Sequence, residues 1–184
     1  YMFGWGLLNA VKAAAKITEH DDIDHNVIDE LSLSNGQVFT SDITVDGSVP
    51  LYVTIAWTDP AGTPIDGELD PIDPMLVNDL DLSITLNSTT YFPWKLNRDN
   101  PELPASNDTE NNVDNVETVF IANPDPGTYT INVSHKGELI DPQYYSIIIS
   151  GITNPVPPGA PIAEFSGEPR TIDAGQSVTF TDLS

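Results

Sequence analysis

The chain has 184 residues, room for one ordinary domain or for one domain and part of another. Its 28 Asp and Glu against 6 Lys and Arg give a formal net charge of −22, which excludes nucleic acid as a partner, because phosphate binding needs clustered Lys and Arg. Cysteine is absent, so a disulfide framework, a thiol nucleophile and a Cys-based zinc site are excluded as well, and no run approaches the ~20 apolar residues of a membrane span.

An acidic excess of this size repels itself. A folded chain tolerates it by spreading it over loops, by salt screening or by binding cations. Solubility of a secreted or salt-adapted protein is the preferred account of it.

The first predicted element is a helix in YMFGWGLLNAVKAAAKI, with residues 1–20 as its segment. Leu7, Ala10, Ala14 and Ile17 fall at helical spacing, with Leu8, Val11 and Ala15 beside them and Lys12 and Lys16 on the other face. So wide a face of small apolar residues fits close packing against another body. The stretch lacks the basic leader of a signal peptide, and the chain reads as beginning within a domain. Gly4 and Gly6 lack the preceding strand and third glycine of a phosphate loop, so a helix-entry turn is expected there.

Residues 21–36 read as a linker. His20, Asp21, Asp22, Asp24 and His25 in EHDDIDHN are possible metal ligands, but the two His are five apart with no helix to bring them to one face. A solvated linker is the preferred reading.

From residue 37 to 153 the period is two. QVFTSDITV opens a series of strands in which PLYVTIAWTDP puts Leu51, Val53, Ile55 and Trp57 on one face, and NDLDLSITL puts Leu80, Leu82, Ile84 and Leu86 inward. ETVFIANPDPGTYTINVSH is strand, turn, strand, with Tyr129, Ile131 and Val133 sharing a face, and QYYSIIISG closes the series. About six short strands in roughly 120 residues predict an all-β fold, an antiparallel β-sandwich of jelly-roll type, with the helix at its N-terminal side. Asn97–Asn112 is polar and turn-rich, a surface loop of the length that is often functional or ion-stabilised.

The Pro-rich stretch at 154–161 marks a linker and a domain boundary. Residues 162–184 carry two more strand patterns, too few to bury a core, so they read as a truncated module.

Calcium is the better ion hypothesis, since hard cations want several oxygen ligands and tolerate irregular loops. Asp79 and Asp81 project from one face of one strand, and Asp108, Asn112 and Glu117 come from the long loop and the strand after it. The alternative is that Asp79 and Asp81 bond loop backbone or face water. Tyr91, Phe92 and Trp94 form the best aromatic cluster for a binding surface toward protein or polysaccharide, with Tyr144 and Tyr145 next; such residues also serve as core or loop anchors. The triplets headed by Asn87, Asn107 and Asn132 are short enough to arise by chance.

Four segments in order, TIAWTDPAGTP, LVNDLDLSIT, NNVDNVETVFI and PDPGTYTINVS, resemble the β-sandwich that follows the catalytic domain in some secreted bacterial subtilisin-like proteases, similar in architecture to the P domain of proprotein convertases. The opening Gly4, Gly6, Leu7, Leu8, Asn9, Ala10 resembles the entry to the last helix of the subtilisin-like catalytic domain. The acidic IDGELDPIDPM departs from the pattern as a lengthened loop. PIAEFSGEPRTIDAGQSVTFTDLS resembles the start of an immunoglobulin-like PKD-type repeat. The resemblance implies a secreted or cell-surface bacterial protein, a subtilisin-like catalytic domain as partner in the same chain, and calcium, which members of that family often carry. The family's Gly-Thr-Ser-Met-Ala nucleophile motif and His-Gly-Thr segment are absent, so no catalysis is expected of this segment itself.

Overall fold

The computed structural model describes residues 7–22, 28–65, 67, 73–153, 165–168 and 179–182. The chain divides into two compact units, Tyr1–Thr153 and Asn154–Ser184. In the second unit the strands labelled β9 (Phe165–Glu168) and β10 (Thr179–Asp182) form an antiparallel pair, Phe165 opposite Asp182.

The first unit opens with helix α1, Ala10–Asp22. Asn9 sets its start: the side-chain Oδ1 accepts the Lys12 N–H at 3.0 Å and the main-chain oxygen accepts the Ala13 N–H at 3.1 Å, which satisfies donors that a helix start leaves free. Alanine-rich composition then favours continuation. The helix runs on through His20 and Asp22, so the acidic stretch read as the start of a linker is its last turn. Its apolar face is open to solvent, with Val11 81 % and Ile17 56 % exposed, and so are Leu7 and Leu8 ahead of it, at 100 % and 91 %.

Eight strands follow: β1 (Ile28–Leu33), β2 (Phe39–Val45), β3 (Leu51–Trp57), β4 (Asp79–Leu86), β5 (Thr89–Tyr91), β6 (Val116–Ile121), β7 (Gly127–Lys136) and β8 (Gln143–Ser150). They build two four-stranded antiparallel sheets, ordered β1-β8-β3-β6 and β2-β7-β4-β5. The sheets face each other across one apolar core, so the fold is an all-β sandwich. Its centre is Leu51, Val53, Ile55, Leu80, Leu82 and Ile84 with Tyr129, Ile131 and Val133, all at 0 % exposure. These are the alternating residues of β3, β4 and β7, as a pleated strand with one buried face requires.

Strand β1 lies inside residues 21–36, where the sequence pattern predicts a linker. It is an edge strand paired only with β8, Ile28 opposite Ile148 and Leu33 opposite Gln143. An edge strand contributes one face to the core, and only Leu33 and Leu31 of IDELSL do so here. The Glu30 N–H is covered by the Asp29 carboxylate at 2.9 Å, which blunts the edge against further pairing.

The lengthened acidic loop between β3 and β4 is closed at its base by Asp59. Its two oxygens accept the main-chain N–H groups of Val77 (2.7 Å) and Asn78 (2.8 Å). Asn78 in turn donates to Gln143 Oε1 at 2.8 Å, while its carbonyl accepts the Trp57 indole N–H at 3.0 Å. The Trp-Thr-Asp-Pro and Asn-Asp-Leu motifs thus clamp each other. Asp59→Ala, which frees two main-chain donors, is expected to cost about 1–3 kcal/mol of stability, seen as a lower urea midpoint at unchanged slope.

Candidate functional site

The strongest concentration of ionisable groups lies at the start of β4. Asp79 and Lys136 are opposite one another in the β4–β7 ladder. The Lys136 ammonium donates to Asp81 Oδ1 at 2.9 Å and lies 3.1 Å from Glu110 Oε2 and 3.7 Å from Asp79 Oδ2. One cation therefore gathers three carboxylates from β4 and the long loop.

Glu117 completes the group from the other sheet. It occupies an inward position of β6, in line with Val119 and Ile121, and is 0 % exposed. β5 covers only Ile84–Leu86 of the β4 edge, and the N–H of Leu82 beyond it is taken by Glu117 Oε2 at 2.6 Å. Glu117 Oε1 and Asp79 Oδ1 are buried without a hydrogen-bond partner among the described residues.

Burial dominates the electrostatics. Loss of solvent pushes the Glu117 carboxyl up to about 9 against the Leu82 hydrogen bond, with Asp81 and Asp79 adding to the rise. Burial likewise raises Asp79 to about 6, opposed by Lys136, and raises Asp81, again opposed by Lys136. For Lys136 burial pulls downward, but the bonds to Asp81 and Glu110 outweigh it and the ammonium is held above its ordinary range. At neutral pH Glu117 carries a proton, and Lys136 faces Asp79, Asp81 and Glu110.

Of the expected calcium ligands, Asp79, Asp81 and Glu117 converge. Asp108 and Asn112 do not join them. Asp108 accepts the Ser106 hydroxyl at 3.0 Å, which with its own backbone holds its carboxyl below the ordinary range, and Lys95 lies 3.7 Å away. Asn112 is exposed, whereas its neighbour Asn111 is buried and shapes the turn by accepting the N–H groups of Val113 and Asp114. The long loop is stapled at both ends by Lys95, paired with Ser106 through the main chain and bonded by its ammonium to Thr109 and the Glu110 carbonyl. Among the described residues no three His, Asp or Glu side chains have the mutual geometry of a metal site.

Sequence reading missed Glu110 and Lys136. The signal was present: Lys136 is one of only 6 basic residues, and it stands at the end of the strand that pairs with Asp79 and Asp81. His135 lies on β7, where its Nε2 accepts the Gly36 N–H at 2.7 Å. Asp24 and His25 lie outside the described residues, as do Gly4 and Gly6.

The aromatic cluster does not form a platform. Tyr91 packs against the core and meets Tyr129 at 6.2 Å between ring centres, Phe92 is half-buried, and only Trp94 is exposed. Tyr145 is buried beside Phe39, with centres 6.5 Å apart, and Tyr144 is 73 % exposed.

Both Glu117 and Asp79 hold protons more tightly in the folded state than in the unfolded chain, whose values are near 4.5 and 3.8. Their contribution is greatest at low pH and is lost as pH rises through about 6 for Asp79 and about 9 for Glu117. Urea midpoints of the wild type should therefore fall between pH 5 and pH 9, and Glu117→Gln should flatten the upper part of that fall; an equally steep fall in the variant would rule the assignment out.

No family model matches this chain, and no curated protein does. Among solved structures it is similar to a protein of Sulfurospirillum deleyianum, with 11 % identity, 67 % of this chain and 97 % of that chain covered, and a TM-score of 0.32. It is also similar to the P-domain of Macrobrachium rosenbergii nodavirus, with 14 % identity, coverage of 69 % and 94 %, and a TM-score of 0.20. At these scores neither likeness identifies a shared fold.

Proposed function

We propose that this chain is a non-catalytic accessory β-sandwich of a secreted bacterial subtilisin-like serine endopeptidase, packed on the catalytic domain and stabilising it. The observation that carries the reading is α1. Its capped, regular helix presents Val11 and Ile17 to solvent, and Leu7 and Leu8 just ahead of it are exposed as well, while the sandwich already has a closed core of its own. Exposed apolar faces of this kind mark surfaces that a larger body covers. The sequence resemblance of GWGLLNA to the last helix of a subtilisin-like domain names that body. We read the interleaved strand order as a jelly roll and the second unit as the start of a PKD-type repeat.

Calcium belongs to the same reading. Asp79, Asp81 and Glu117 do not stand at metal-site geometry as they lie, so holding the ion would require them to draw together and Glu117 to give up its proton, with Asp79 Oδ1 and Glu117 Oε1 as the donors that lack a hydrogen-bond partner among the described residues. The oxygen donors suit a hard cation, and Lys136 is the cation it would displace. The ion would neutralise clustered carboxylates and tie β4 to β6.

The gene that encodes this chain should specify Asp, His and Ser motifs of a subtilisin-like domain ahead of Tyr1. Removing Ile28–Thr153 from its full product should shorten the half-life of peptidase activity on heating. A product with no such domain, or a deletion that leaves stability and activity unchanged, overturns the reading. For calcium, millimolar Ca²⁺ against EDTA should raise the melting temperature of the chain, and Lys136→Met should enlarge the rise; no response in either protein removes calcium from the proposal.

A further inference from the structure

The two outer faces of the sandwich differ in kind. On the β2-β7-β4-β5 sheet the outward strand positions are Thr, Ser and Asn with Asp42, Asp79, Asp81 and Lys136, and none is aliphatic or aromatic. On the β1-β8-β3-β6 sheet the outward register brings Tyr52 beside Phe120 and Ile148 beside Ile28. There Tyr52 is 43 % exposed, Ile148 40 % and Tyr144 73 %, and these are the large apolar side chains that the strands of the sandwich leave open. Tyr52 and Phe120 stack with ring centres 4.4 Å apart. Glu30 is the one charged side chain at the outward positions of this sheet. In a chain of net charge −22, a sheet face almost free of charge is a surface from which carboxylates have been kept away.

A groove of about 690 Å³ lies at one end of this face, where β3 ends and β8 begins, with Glu30, Ala56, Thr58, Pro142, Tyr144 and Ser146 in its lining. The Glu30 carboxylate stands at its wall with no cation paired to it among the described residues. A carboxylate beside an exposed aromatic ring suits a Lys or Arg side chain, which gains an ion pair and a cation–π contact together.

The face is also tethered to α1. Asp22 ends the helix and Ile28 begins β1, so the helix end lies at most ~20 Å from the edge of this sheet.

We infer that the outer face of the β1-β8-β3-β6 sheet is the docking surface for an uncharged, largely apolar face of a folded protein domain. That domain is the one that covers α1, and it sends a basic side chain into the groove to meet Glu30. This rests on the accessory-domain reading and adds which face of the sandwich the catalytic domain contacts.

Hydroxyl-radical footprinting of the 184-residue chain and of the full gene product tests it, with Tyr129, buried in the core, as the unreactive reference. Oxidation of Tyr52 and Tyr144 should be several-fold slower in the full product. Equal rates in the two proteins overturn the inference. If Leu7, Leu8 and Val11 become protected while Tyr52 and Tyr144 do not, the docking face fails and the accessory-domain reading stands; if neither group is protected, both fail. Concentration-dependent protection in the 184-residue chain alone makes a second copy the occupant and also overturns it. Ile148→Lys provides the second measurement: it should lower the melting temperature of the full product and leave that of the 184-residue chain unchanged, and an equal drop in both counts against docking.

Discussion

A protonated carboxyl in the core holds the side of this sandwich closed. β5 is too short to cover β4 along its length, and an uncovered main-chain N–H in a buried edge would cost as much as a lost hydrogen bond. Glu117 reaches across from β6 to supply the missing acceptor at Leu82. Burying the ionised form would be far more costly than burying the acid, so the group keeps its proton. The neighbouring carboxylates remain manageable because Lys136 stands among them.

The same arithmetic orders the rest of the surface. With so few cations available, two of the basic side chains are placed where carboxylates crowd: Lys136 at β4 and Lys95 along the long loop. The rest of the charge is spread over loops and the β2-β7-β4-β5 side. Asp59 escapes the problem differently, since main-chain N–H groups take both its oxygens. What remains is an opposite face with little charge to oppose an apolar neighbour.

Sequence alone located the elements whose alternation is strict. β3, β4 and β7 each place three or more inward residues at period two, and those residues are the fully buried ones. β1 was illegible because an edge strand needs only one or two inward side chains, and its Asp29 and Glu30 look like the acidic run before them. The helix C-terminus was hidden for a related reason: His20, Asp21 and Asp22 carry no apolar period although they continue the last turn. At the carboxylate cluster, spacing along the chain showed Asp79 and Asp81 together. It could not show which loop residues come near them, since proximity there is set by strand pairing and by the Lys95 staple. Hence Asp108 and Asn112 were grouped with a site that in fact contains Glu110 and Lys136.

The position of β8 has a consequence for how the chain acquires its shape. β8 is the last strand of the sandwich in sequence, yet it lies inside its sheet, between β1 and β3, so that Ile28 waits for Ile148 and Thr54 has the same partner. During synthesis β1 and β3 emerge early and remain unpaired along those edges until Gln143–Ser150 leaves the ribosome. Closing such distant pairs is slow, since loop entropy is spent before contacts return it. Through that interval the like charges along the nascent chain keep the open strands from finding the wrong neighbours.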